Sequence, residues 1–91
     1  MDIPRTFPLA GNTWTVRYKK KQELKGDYGA CLEDKNEVWI QRGLKADKRT
    51  QTFIHELLHA IHYTMGQLDD HDEKGIEAMS QLLYQALFND D

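Results

Sequence analysis

The run Thr52-Phe53-Ile54-His55-Glu56-Leu57-Leu58-His59-Ala60-Ile61 constrains this chain more than any other stretch of it. At about 100° per residue, Phe53, Ile54, Leu57, Leu58, Ile61 and Met65 share one arc of a helix, while His55, His59 and His62 share the next. An apolar arc of this width needs a surface to pack on. The histidines then stand on the edge of the buried stripe, where the floor of a cleft would lie. Residues four apart lie one above the other on a helix. His55 and His59 can therefore offer two imidazoles to one metal ion, and Glu56 sits one step round from them.

The pattern H-E-x-x-H has a known chemical logic. Two histidines supply nitrogen ligands to zinc, one metal position stays open to water, and the glutamate takes a proton from that water. Such a site needs a third protein ligand. A second helical pattern runs from about Asp72 to Phe88, with Ile76, Met79, Leu82, Leu83, Ala86 and Leu87 as its apolar face. Glu73, Glu77, Ser80 and Tyr84 form a polar stripe beside that face. Glu73 and Glu77 lie one turn apart on this stripe, so helical geometry alone leaves both open as the third ligand. His62 lies near the histidine face, but three ligands from one straight helix rarely converge on one ion.

The string Ile76-Glu77-Ala78-Met79-Ser80 resembles the second-helix signature of the gluzincins, the thermolysin-like zincins. Together with His55-Glu56-Leu57-Leu58-His59 the resemblance covers about half the chain. It implies that His55, His59 and Glu77 bind Zn2+ and that Glu56 is the general base of a zinc metallopeptidase. The chain also resembles small zincin-like proteins, some of them encoded by phages and prophages. It is not similar to a metzincin, because Met65 stands where that group has its third histidine. One departure concerns Gln81, which stands where gluzincins usually carry an aspartate that orients a zinc-binding histidine. For the oxyanion donor, Tyr63, Tyr84, His71 and Arg42 are the candidates.

The bulk numbers narrow the rest. Ninety-one residues make one domain, a size that is often marginal unless a bound metal adds to stability. The net charge of -3 and the lack of a basic cluster beyond Lys19-Lys20-Lys21 argue against nucleic acid as a partner. The expected partner is a protein or peptide substrate. Cys31 is the single cysteine, so no internal disulfide forms, and it reads as a small buried hydrophobe. No stretch is long enough to span a membrane, and no signal-like segment is evident. The expected location is the cytoplasm, that of the host if the protein is phage-encoded.

Along the chain, Pro4 and Pro8 make residues 1–10 read as an irregular arm. Gly11-Asn12 is a turn signal. Strands are expected at Thr13–Tyr18, Tyr28–Leu32 and Glu37–Gln41, the last two paired as an antiparallel hairpin. Asp47 or Thr50 would cap the first helix, and Gly66 would stop it. The expected architecture is α+β: a small antiparallel sheet of about three strands followed by two helices, zincin-like over residues 1–91. The zincin resemblance further implies that the strand around Val38 to Gln41 borders the cleft and pairs with an extended substrate. The alternatives are a zincin-fold binding module with a structural metal and little or no proteolysis, and a metal-free helical interaction protein.

Overall fold

The computed structural model of the chain describes residues 2–66 and 73–87. Its elements are β1 (Thr6–Leu9), β2 (Asn12–Lys19), β3 (Gly29–Leu32), β4 (Glu37–Gln41), α1 (Ala46–Thr64) and α2 (Glu73–Leu87). Short 3-10 turns at Lys21–Leu24 and Glu33–Lys35 join the strands. The class is α+β, as expected. The sheet, however, has four strands in the order β1-β2-β4-β3 and is mixed. β1 and β2 pair antiparallel, as do β3 and β4, but β2 and β4 run parallel with Val16 opposite Val38.

The arm expected over residues 1–10 contains an edge strand instead. Pro8 lacks an amide hydrogen, which an edge strand tolerates. It pairs with Thr13 at the rim of the sheet. The hairpin closes through Ala10 and Gly11, both with positive φ, 50° and 84°. Two such residues match the twist of the flanking strands. Phe7 and Leu9 point inward and pack on the main core, with the Phe7 ring stacked on Trp14.

That core lies between one sheet face and α1. Trp14, Val16, Val38 and Ile40 come from the strands, and Phe53 and Ala60 from the helix. Alternation explains the strand half: Val38 and Ile40 are fully buried, while Trp39 between them faces the other side. The opposite flank of α1 presents Ile54 and Leu58, which meet Ile76 of α2. α1 thus touches the sheet on one side and α2 on the next. Its third side carries the histidines.

Three local expectations change. α1 starts at Ala46 after an extended Lys45, and Asp47 accepts a hydrogen bond from the Lys48 amide (2.8 Å) inside the first turn, so neither Asp47 nor Thr50 is the cap. Met65 is exposed beyond the end of the helix, outside the apolar arc assigned to it. On α2, Met79, Leu82, Leu83 and Leu87 are exposed, and the buried residues are Ile76 and Ser80. The helix has turned its Glu73–Glu77 side toward α1 rather than its longest apolar row. Gly66 does stop α1, with φ 80° and its amide bonded to the Tyr63 carbonyl. Among the described residues, no helix is long and apolar enough to cross a membrane.

β4 is an inner strand, bonded to β2 on one side and β3 on the other. It therefore offers no free edge, and the strand that borders the cleft is β3. Gly29 at its start permits a close approach to α1. A Cβ there would sit 2.7 Å from Thr52 Cγ2, 2.9 Å from the Trp39 carbonyl oxygen and 3.1 Å from Glu56 Cγ. We expect Gly29→Ala to destabilise the protein by about 1–3 kcal/mol through overpacking. Urea unfolding measures this, and an unchanged midpoint would mean that β3 and α1 are not in this contact.

Candidate metal centre

The two histidines of α1 project into the groove between β3 and α2. Their rings stand 5.0 Å apart, centre to centre, as four-residue spacing on a helix requires. The first turn of α2 brings a carboxylate between them. Glu73 Oε1 lies 2.7 Å from His55 Nε2, and Glu73 Oε2 lies 3.2 Å from His59 Nε2. One ligand atom from each of His55, His59 and Glu73 falls within a common 4.8 Å. Ligands around tetrahedral zinc at bond lengths of about 2.0–2.1 Å stand roughly 3.3 Å from one another. The donor types and spacing of the three residues fit a divalent cation.

Glu77 is placed differently. Its Oε2 lies 3.1 Å from His55 Nδ1, the ring nitrogen turned away from Glu73. Glu77 Oε1 in turn accepts a hydrogen bond from Gln81 Nε2 at 3.0 Å. His55 is thus held between carboxylates at both ring nitrogens. Gln81, which stands where gluzincins usually carry the orienting aspartate, donates to Glu77.

Glu56 occupies the seam between the histidine face and the sheet, under β3. Only 8% of its surface is exposed. Burial pushes its carboxyl up to about 8, and the nearby charges of Glu73, Asp27 and Glu33 add to the shift. Glu73 goes the other way. Burial alone would raise it, but the hydrogen bond with His55 and the charges of His59 and His55 leave it lowered. Two carboxyls on the same cleft therefore hold opposite protonation tendencies, a pattern typical of acid–base sites.

The cleft encloses about 580 Å³ between β3, α1 and α2. Its floor carries His55, Glu56, His59 and Glu73. One wall is the strand edge from Asp27 to Ala30, and the other includes Glu77, Ser80 and Gln81.

None of the described oxyanion candidates lines this cleft. Tyr63 meets the Trp14 ring edge-on, Tyr84 packs against the Ile54–Leu58–Ile76 cluster, and Arg42 Nε donates to the Tyr18 carbonyl at 3.3 Å. His71 lies outside the described residues. His62 is not part of the ligand group. Sequence reasoning missed Tyr28 and Lys48, which do line the cleft. Lys48 left a signal: it stands seven residues before His55, two turns up the same helix face.

The buried carboxyl has a consequence for stability. Glu56 binds a proton more tightly folded than unfolded, so its contribution is full below about pH 4.5 and is lost as pH rises through about 8. In metal-free protein this amounts to a decline on the order of 5 kcal/mol across that window. Glu73, being lowered, titrates below the window and does not oppose it. Glu56→Gln should flatten most of this decline in unfolding free energy against pH, and a parent profile that is already flat would show that Glu56 is not buried as described.

Protein-family models, curated proteins and solved structures were all compared with this chain, and none of them matches it.

Proposed function

We propose that the chain is a metal-dependent peptidase whose ion is zinc, held by His55, His59 and Glu73. The observation that carries this reading is a His-His-Glu ligand group on the floor of an open cleft, with the buried Glu56 lining the same cleft. Zinc bound there would supply a Lewis acid and a water of near-neutral pKa. A cation held at this site would favour the ionised form of Glu56, and in that form the carboxylate is placed to accept a proton from an attacking water and pass it to a leaving amine. Glu56 is buried against the start of β3, which limits competition from solvent. The outer edge of β3 is suited to hold an extended peptide by backbone hydrogen bonds.

Glu73 replaces Glu77 as the third ligand in this proposal, because Glu73 is the carboxylate that reaches both imidazoles at their Nε2 atoms. Glu77 then takes the proton of His55 Nδ1 and fixes the direction of the ring, the role that outer carboxylates play at many zinc sites. The departure read at Gln81 loses its force, since the orienting carboxylate is present one turn earlier. A second reading, a closed metal site that only ties α2 to α1, draws support from the small apolar contact of α2. Inhibition by a hydroxamate separates the two, because a closed site has no position for it.

In zinc titrations, Glu77→Ala should weaken binding by about 10–100-fold, the range for outer partners. Glu73→Ala should weaken it further than that. Equal losses, or a greater loss at Glu77, would reverse the two assignments. Glu56→Gln should keep its zinc and lose about 10²–10⁴-fold in peptide hydrolysis, measured on a quenched fluorescent peptide library. Undiminished cleavage by that variant would remove Glu56 from the chemistry.

A further inference from the structure

Lys48 is the one lysine or arginine among the described residues lining the cleft. The surroundings hold several carboxylates, yet among the described residues its ammonium pairs with none of them. It rests instead over the face of the Tyr28 ring, 4.3 Å from the centroid. Such a contact orients the cation while leaving its other hydrogen-bond donors available. Tyr28 itself is half exposed, just before the edge strand β3.

The position of this pair relative to the ligand group is set by the helix. Seven residues separate Lys48 from His55, which brings both to within roughly 20° of one line and about 10 Å apart along the axis. A peptide extended along the cleft advances about 3.3 Å per residue, so 10 Å corresponds to about three residues. Tyr28 and the first two residues of β3, Gly29 and Ala30, line the cleft beside this span.

We propose that Lys48 and Tyr28 form a carboxylate-binding subsite at one end of the cleft, reading an anionic group about three residues from the scissile bond of an extended peptide. The inference rests on the peptidase reading for the term scissile, but the subsite itself requires only peptide binding. The carboxylate comes from an acidic side chain or from the free C-terminus of the substrate. Tyr28 holds the ammonium over its ring and offers its own hydroxyl as a second donor to the anion.

The test uses the full chain loaded with zinc and a set of labelled peptides based on one octapeptide. In one arm a single Glu is moved along an amidated, otherwise neutral peptide with Gln as its reference. In the other arm the amidated reference is compared with free-acid peptides of decreasing length. Fluorescence polarisation gives the dissociation constants, and mass spectrometry gives any cleavage. We expect one Glu position, or one free-acid length, to bind roughly tenfold tighter than the reference. Whichever arm shows the gain identifies the source of the carboxylate. Lys48→Met should bring that ratio close to one while the reference peptide binds as before, and Lys48→Glu should turn the preference toward Lys at the same position.

A ratio that survives Lys48→Met overturns the subsite, as does the absence of any position-dependent gain in both arms. Failure to cleave any peptide, with the Lys48-dependent binding ratio intact, would instead sink the peptidase reading and leave the subsite standing.

Discussion

The contact of Glu73 with His55 and His59 is the interaction on which the position of α2 depends. α2 buries only Ile76 and Ser80 among its described residues, and four of its large apolar side chains remain exposed. A helix held by so little apolar area draws much of its placement from polar contacts. Here these contacts are two imidazoles on α1 facing two carboxylates one turn apart on α2. A cation bound between them would replace hydrogen bonds with ligand bonds and so link metal affinity to the docking of α2. Assembly of the site and assembly of the second half of the helical layer become the same event.

The rest of the cleft follows from how α1 divides its surface. One flank meets the sheet, the next meets α2, and the remaining side is left open. Glu56 falls at the boundary between the open side and the sheet. It is buried because Gly29 has no side chain to keep β3 away. The same close approach desolvates the carboxyl and raises its proton affinity. A backbone permission at one glycine thus reaches the acid–base character of a residue on another element.

Reading the sequence recovered the course of α1, though not its N-cap or the place of Met65. Its apolar arc, its histidine pair and its end at Gly66 follow from 3.6-residue periodicity and from the turn chemistry of glycine, both local properties. Three of the strands were legible from alternation for the same reason. β1 was hidden because Pro4 and Pro8 signal a break, and only its pairing with β2 shows that Pro8 lies on an edge. The parallel run of β2 beside β4 was also hidden. Alternation of buried and exposed residues is the same whether a strand's neighbour runs with it or against it, so a sequence pattern carries no direction.

What the chain's residue order determined by itself was the local chemistry: two imidazoles on one face of an amphipathic helix, a glutamate between them in sequence, and two later glutamates one turn apart. Which glutamate meets which nitrogen was decided only by the rotation of α2 about its axis. That rotation reflects the balance between a short apolar contact at Ile76 and the polar contacts of Glu73 and Glu77. The edge strand beside the cleft was likewise decided by strand order, which places β4 inside and β3 outside. Both are long-range choices, and they depend on surfaces brought together from distant parts of the chain rather than on the periodicity of any one segment.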